Sequence, residues 1–292
     1  MIKDKTACTF IGGGVLACCM IDGLLEKTFE SDLLIRVTAR RSDHAKSLEA
    51  RYPSLLVTQG NKDPILWEDP WKKLGTSPTA HIVLICTQPC YTSDVCEDIR
   101  QASTKWPMHP KPVFVTMCPG ITVAQLEKWL PDGASIVRTM PNTPVAVKQG
   151  ATAMFANDAV TGREATLVAD LFRVVSPQVS LLEIESGIDV AASISGSSPA
   201  YFFKLLSALV EAGIANGLPP DVALALVKQS GLGASVQAAK DGRPMQSLIS
   251  DVCAPGGSTE KAMDTLDMGG FSETIAAAVK KSLEANRAMG QD

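Results

Sequence analysis

Histidine is scarce in this 292-residue sequence: only His44, His81 and His109 occur, and none stands with a cluster of carboxylates or cysteines. A metal centre needs several such donors at set spacings, so the pattern excludes the usual metal sites. The eight cysteines (Cys8, Cys18, Cys19, Cys86, Cys90, Cys96, Cys118 and Cys253) include no Cys-x-x-Cys pair, and most lie in apolar stretches. They read as reduced thiols filling a core, not as disulfides or metal ligands. No apolar run reaches the ~20 residues that cross a bilayer. Charge is nearly balanced, with 27 Lys and Arg against 31 Asp and Glu, a net of −4. That balance gives no electrostatic reason to expect nucleic acid or an anionic membrane as a partner. Met1–Lys5 lead straight into an apolar strand, which predicts no signal peptide and a cytoplasmic protein. What remains is a chain 46% hydrophobic and 20% charged, long enough for one large or two ordinary domains.

The stretch that organises the chain is Thr6–Ala17. It reads as a buried strand, a glycine turn and the first turn of a helix running to Lys27. Gly12-x-Gly14-x-x-Ala17 has dinucleotide-binding spacing. Gly12 permits the tight turn, Gly14 lets a diphosphate approach the backbone, and Ala17 lets helix and strand pack closely. The phosphates would rest on free N–H groups at the helix N-terminus. The second strand ends in Thr38-Ala39-Arg40-Arg41-Ser42, where an NAD-binding fold usually carries Asp or Glu for the ribose hydroxyls. Two guanidinium groups and a hydroxyl suit the 2′-phosphate of NADPH instead. An exposed basic turn is the plainer alternative.

Further strand candidates are Leu33–Thr38, Leu55–Thr58, His81–Cys86, Val113–Met117, Ile136–Met140, Gly150–Phe155 and Val179–Leu182, with helices between several of them. The alternation predicts an α/β fold: a Rossmann-type, mostly parallel sheet with helices on both faces and ligands beyond the strands' carboxyl ends. Cys86-Thr87-Gln88-Pro89 and Cys118-Pro119-Gly120 follow two of these strands on that side. The connection Gln59–Ala80, with Trp67, Pro70, Trp71, Gly75 and Pro78, is long and irregular, and its tryptophans read as cover for the sheet edge. From Ser186 the composition turns helical, which predicts a dinucleotide-binding domain over 1–183 and an all-helical domain over 184–292. A helix opens at Pro199 with Ser198 as its expected N-cap. Its polar residues Lys204, Ser207 and Glu211 share one narrow face. A helix apolar on nearly all sides needs burial that a small domain cannot provide alone, so a dimer interface is expected. Farther on, Pro255-Gly256-Gly257-Ser258-Thr259 feeds another helix, whose first N–H groups suit a substrate carboxylate.

Taken together, Phe10–Gly14, Arg138-x-Met140-Pro141-Asn142-Thr143-Pro144, Ser195-Gly196-Ser197-Ser198-Pro199-Ala200-Tyr201 and Pro255–Thr259 resemble the pyrroline-5-carboxylate reductase family over nearly the whole chain. The resemblance implies a Rossmann domain, an intertwined helical dimer, and hydride transfer from NADPH, with NADH possible, to the C=N carbon of a cyclic imino acid, giving L-proline. It further implies that Ile11, Gly12, Gly13, Gly14, Val15 and Leu16 hold the pyrophosphate. Arg40, Arg41 and Ser42 fall at the adenosine ribose, Asn61 near the adenine, and Cys86–Pro89 with Cys118–Gly120 beside the nicotinamide. Gly257, Ser258 and Thr259 match the substrate-carboxylate segment, with Thr259 at the imine nitrogen. Glu185 matches a substrate-site acid given by the partner subunit, in a homodimer or a higher homo-oligomer. A protonated imine is already electrophilic, so little side-chain chemistry is required beyond positioning and exclusion of water.

The chain departs from the family at Gln88, where Lys is usual, at Ala192-Ser193 for Thr-Gly, at Ser198 for Gly and at Ala254 for Ser. These departures leave three alternatives open: a reductase of a related cyclic imine, a β-hydroxyacid dehydrogenase-like enzyme, or a non-catalytic nucleotide-binding relative.

Overall fold

The structure is a computed structural model and describes residues 5–27, 33–68, 79–107 and 109–289. The readings made on Met1–Asp4 and on Pro70, Trp71, Gly75 and Pro78 fall outside the described residues. The chain forms two compact units, one running to Gly196 and taking in Leu283 onward, the other Ser197–Ser282.

In the first unit the elements follow as β1 (Thr6–Ile11), α1 (Val15–Lys27), β2 (Leu33–Thr38), α2 (Ser42–Arg51), β3 (Leu56–Thr58) and β4 (Ala80–Ile85). Then come α3 (Thr92–Lys105), β5 (Val113–Thr116), α4 (Val123–Trp129), β6 (Ser135–Pro141), β7 (Ala151–Ala156), α5 (Gly162–Phe172), β8 (Gln178–Leu181) and α6 (Gly187–Ala191). The eight strands lie in the order β3-β2-β1-β4-β5-β6-β7-β8. All neighbours are parallel except β6 and β7. The mostly parallel Rossmann-type sheet is therefore as the sequence implies. Strand order reverses beside β1, so β1 and β4 flank the crevice where such sheets bind ligands. Every residue of β1 is buried, because helices cover both faces. Alternation along β4 feeds both layers: Ile82 and Leu84 join one apolar cluster, Val83 and Ile85 the other.

Two helices carry full capping boxes, Thr122 with Gln125 for α4 and Thr161 with Glu164 for α5. The irregular connection after β3 is tied down by a buried cation. Arg36 on β2 donates to the Leu66 carbonyl at 2.7 Å and to that of Glu68. Trp67 is buried and donates from Nε1 to the Asn61 carbonyl at 2.8 Å.

Another buried cation fixes the end of this unit. Arg138 on β6 is 3% exposed and pairs with Glu185 at 3.0 Å and Asp189 at 2.6 Å. Asn142 accepts from the Ala151 N–H at 2.9 Å and donates to Ser195. The segment it holds, Ala192–Gly196, is a π-helical turn.

The second unit begins with α7 (Ser198–Ala215), α8 (Pro220–Lys240), α9 (Met245–Val252) and α10 (Ser258–Met268). The last helix, α11 (Phe271–Ala288), starts here and ends within the first unit. Ser198 is not the N-cap of α7: Ser197 takes that position, and Ser198 lies in the first turn. The π-turn just upstream advances the helix start by one residue, and the run of serines offered more than one capping candidate. Ser207 donates to Glu211 on the polar stripe, as their spacing implies. Within the unit α7 packs on α8, where a Cβ on Gly231 would lie 2.9 Å from Leu206.

Arg138→Met leaves two partly buried carboxylates without their cation. The loss is expected to be about 3 kcal/mol of stability, read as a lower urea midpoint at unchanged m-value. A shift under about 0.5 kcal/mol, the range of ordinary surface substitutions, would show that the pair is not structural.

Candidate active site

At the end of β1 the backbone runs out of room. Gly12 has φ +103°, and a Cβ there would stand 3.0 Å from the Cys86 carbonyl oxygen. Its N–H donates to Thr38 Oγ1 at 2.9 Å, which ties the loop to the end of β2. Gly13 is needed for a different reason: a Cβ on it would lie 2.5 Å from Leu48 Cδ1 on α2. A Cβ on Gly14 would meet nothing within 4 Å, so this residue faces open space. Ala17 is fully buried against the sheet, while Val15 is 83% exposed. Helix geometry leaves the first-turn N–H groups of α1 without intrahelical acceptors, and they face an uncrowded approach.

The residues expected around this loop divide into those facing solvent and those turned inward. Arg40 and Arg41 leave the end of β2 on the exposed surface. The Arg40 guanidinium lies 5.0 Å from the centre of the Tyr91 ring, and Arg41 pairs loosely with Asp43 at 3.6 Å. Ser42 opens α2. Asn61 follows β3 and donates to Asp98 on α3 at 3.2 Å. Gln88 and Cys90 are exposed, whereas the thiols of Cys86 and Cys118 turn inward. The Cys118 thiol donates to the Thr87 carbonyl at 2.9 Å, and the Cys86 thiol, just past β4, donates back to the Leu84 carbonyl of that strand. Burial pushes the Cys86 thiol well up, and pushes Cys8 and Cys96 up to about 12, so these groups stay protonated at neutral pH. Beside the loop Cys86 thus presents its backbone carbonyl and not a nucleophile. Gly120 has φ +77°, which turns the chain directly after Pro119.

The segment assigned to the substrate lies in the second unit. Gly256 has φ +71°, and Gly257 is the N-cap of α10, where a Cβ would lie 2.8 Å from the Ala254 carbonyl. Ser258 and Thr259 form the first turn. The Gly256 N–H is already taken by the Glu260 carboxylate at 2.8 Å, leaving the amides farther along the turn for an anion. Glu185 belongs to the first unit. Its Oε1 accepts from Arg138 and from the Val123 N–H at 2.8 Å. A cleft of about 550 Å³ runs beside α4 and β7, lined by Val123, Glu127, Asn157 and Glu185 among others, with no glycine-loop residue in its walls. Among the described residues no group of His, Cys, Asp and Glu is placed to hold a metal ion. The sequence reading did not anticipate four contacts of this region: Tyr91 beneath Arg40, His44 at the Gly13 carbonyl, Arg138 beside Glu185, and Glu260 at Gly256.

A parallel sheet with a glycine loop at its switch point and an anion-receptive helix start defines a Rossmann-type dinucleotide-binding protein joined to a helical unit. Comparison with known proteins narrows the class. Residues 185–289 match the family model described as pyrroline-5-carboxylate reductase dimerisation. The chain is 67% identical over 290 residues to the Delta-1-pyrroline-5-carboxylate reductase apf3 of Gibberella fujikuroi, covering 99% of this chain and 98% of that one. It is 32% identical to the pyrroline-5-carboxylate reductase of Mycobacterium tuberculosis strain H37Rv, covering 96% and 95%. The solved pyrroline-5-carboxylate reductase of Coxiella burnetii superposes with a TM-score of 0.84 at 30% identity, over 98% of both chains. A pyrroline carboxylate reductase of Plasmodium falciparum, solved with NADP bound, shares the fold with a TM-score of 0.76 at 23% identity, over 99% of both. This chain belongs to the pyrroline-5-carboxylate reductase family.

The contact between Gly13 and Leu48 sets a packing test. Gly13→Ala is expected to cost about 1–3 kcal/mol through overpacking. In Gly13→Ala/Leu48→Ala the two costs should fall short of their sum by about 1 kcal/mol. Strict additivity in a denaturation cycle would show that α2 does not crowd the loop.

Proposed function

We propose that this protein reduces 1-pyrroline-5-carboxylate to L-proline, the last step of proline biosynthesis, with NADPH preferred and NADH accepted. The observation that carries the reading is end-to-end identity of 67% with a Delta-1-pyrroline-5-carboxylate reductase. The NADP in the Plasmodium relative supports the cofactor. So does the open approach to Gly14 in this chain, where the loop leaves space that a side chain would fill.

NADPH, when bound, supplies the hydride that reduces the C=N carbon. The chain's part is to hold and to exclude. Residues Ile11 to Leu16 receive the diphosphate on backbone amides, and Arg40, Arg41 and Ser42 take the 2′-phosphate. Thr87, Gln88, Pro119 and Gly120 border the nicotinamide end, with Cys86 and Cys118 supporting them from behind. Asn61 contributes at the adenine end. Gly257 and Ser258 hold the substrate carboxylate on the first turn of α10, and the Thr259 hydroxyl bonds the imine nitrogen. We assign residues 1–183 to cofactor binding and 184–292 to dimerisation and substrate binding. The match of a dimerisation family over 185–289 supports that division.

Glu185 serves the substrate site from the partner subunit, oriented by Arg138. The assembly is a homodimer or a multiple of one. In its support, the second unit leaves Phe202, Phe203, Leu209, Leu226 and Leu232 largely exposed in the single chain. We place the protein in the cytoplasm, with neither nucleic acid nor membrane as a partner. Among the described residues no helix is long and apolar enough to cross a membrane.

Thr259→Ala removes one hydrogen bond to a charged group, about 1.5–3 kcal/mol, and is expected to lower kcat/KM roughly 10- to 150-fold. NADPH affinity should hold and Thr259→Ser should restore most of the rate, as steady-state kinetics with fluorescence titration will show. An unaffected kcat/KM removes Thr259 from the mechanism. For the cofactor, Arg40→Ala/Arg41→Ala should raise the KM for NADPH roughly tenfold or more while leaving that for NADH nearly unchanged. Equal effects on the two cofactors would refute the 2′-phosphate clamp.

A further inference from the structure

His44 is one of three histidines in the chain, and it sits in the first turn of α2. Its Nε2 lies 2.7 Å from the Gly13 carbonyl oxygen. A carbonyl only accepts, so Nε2 carries the proton and donates. The Cys18 thiol reaches the same oxygen at 3.6 Å. This carbonyl stands just outside α1, because the first intrahelical bond there is from Cys18 N to the Gly14 oxygen at 2.9 Å. The helix therefore does not hold it, and side chains do.

The consequence follows from the peptide plane. Gly13–Gly14 is a trans peptide, in which the carbonyl of Gly13 and the N–H of Gly14 point in opposite directions. Glycines on both sides leave that plane free to rotate in the absence of an anchor. With the carbonyl drawn to His44, the Gly14 N–H is aimed away from α2. A Cβ on Gly14 would meet nothing within 4 Å, so the space on its side is open. The same helix grips the loop twice. His44 and Leu48 are four residues apart on one face of α2, and Leu48 closes on the Cα of Gly13 while His44 takes its oxygen.

We propose that His44 is a positioning residue for the cofactor: it orients the Gly13–Gly14 peptide so that its N–H meets the diphosphate. The proposal rests on the reading of the glycine loop as the diphosphate site. The diphosphate is common to NADPH and NADH, so this role is blind to the 2′-phosphate. That separates His44 from Arg40 and Arg41, although all three lie within five residues of one another.

The test compares His44→Leu, His44→Gln and Gly14→Val with the full-length wild type. Gln carries an N–H donor at the same bond distance from the backbone as His Nε2; Leu carries none. Dissociation constants for NADPH and NADH come from fluorescence titration, kcat and the substrate KM from assays at saturating NADPH, and folding from thermal melts. His44→Leu should weaken both cofactors by the same factor, about three- to tenfold for one neutral hydrogen bond. The kcat at saturation and the KM for pyrroline-5-carboxylate should stay within about twofold, and His44→Gln should recover most of the affinity. Unchanged affinities in His44→Leu overturn the proposal. So does a loss confined to NADPH, which would mean direct contact with the 2′-phosphate, and so does a His44→Gln variant as weak as His44→Leu.

Gly14→Val tells the two readings apart. Its side chain enters open space, so the fold should survive while both cofactors are excluded. Normal binding by Gly14→Val refutes the glycine-loop reading and the proposal with it. Loss of binding there beside normal binding in His44→Leu refutes the proposal alone.

Discussion

The turn at Gly12–Gly14 is the constraint on which the first unit depends. β1 is buried on both faces and hydrogen-bonded on both edges, so its chain can leave only through its carboxyl end. There the Cys86 carbonyl closes one side and α2 the other. Only a backbone without side chains fits between them, and it must turn at once into α1. The amides that this turn uncovers are thus a by-product of packing. A fold that places a central parallel strand between two others obtains an anion site at the switch point, provided the residues there are small. The loops after β2, β4 and β5 then stand around that point and differ in what they present. The first offers guanidinium groups, the second a threonine and a glutamine, the third a proline and a glycine turn.

A buried cation does comparable work farther along the sheet, on β6. Arg138 points off β6 into a pocket shared by two carboxylates and the start of α4. One charge against two acids satisfies the geometry only if the acids remain partly solvated, and both Glu185 and Asp189 do. The motif that carries Arg138 also carries Asn142, which grips the π-turn at Ser195. A π-turn widens the helix by one residue and costs hydrogen-bond geometry, so it persists where neighbours over-determine it. Here Asn142 holds one side, and Asn286 reaches Ser193 from the other at 3.2 Å.

Much of this was legible in the sequence, for identifiable reasons. All eight strands were visible because each is a short apolar run bounded by turn residues, and buried parallel strands need apolar residues on both faces. The tight turn at Gly12, the open surroundings of Gly14 and the close packing of Ala17 were legible because each has a local steric meaning. Gly13 was read as part of the cofactor loop, yet its necessity comes from Leu48, thirty-five positions away, which no local pattern reveals. The pairing of Arg138 with Glu185 and the contacts of Arg36 and His44 were opaque for the same reason: a polar side chain shows its chemistry in sequence, but its partner is chosen by the fold. The N-cap of α7 slipped from Ser198 to Ser197 because a π-turn has no sequence rule comparable to a capping box. Glu260 was legible in principle, since an acid in the first turn of a helix commonly reaches back to an upstream amide.

The second unit follows a different economy from the first. The Rossmann unit closes two apolar layers around its own sheet. In Ser197–Ser282, Pro199 and Ala223 are buried, while large apolar side chains along α7, α8 and α9 face outward, with Phe203 at 68% exposure. A helical unit with so small an interior is poorly placed to offset the conformational entropy of ordering its chain. Association would add the missing burial, in keeping with the dimerisation family that residues 185–289 match. The same economy touches α10. The turn that starts at Gly256 is held by Glu260 and by the Gly257 N–H on the Ala254 carbonyl, contacts within its own segment, so its firmness depends on how well the surrounding helices are packed. The glycine loop has no such dependence, because it is anchored by β1, β2 and α2 within one chain.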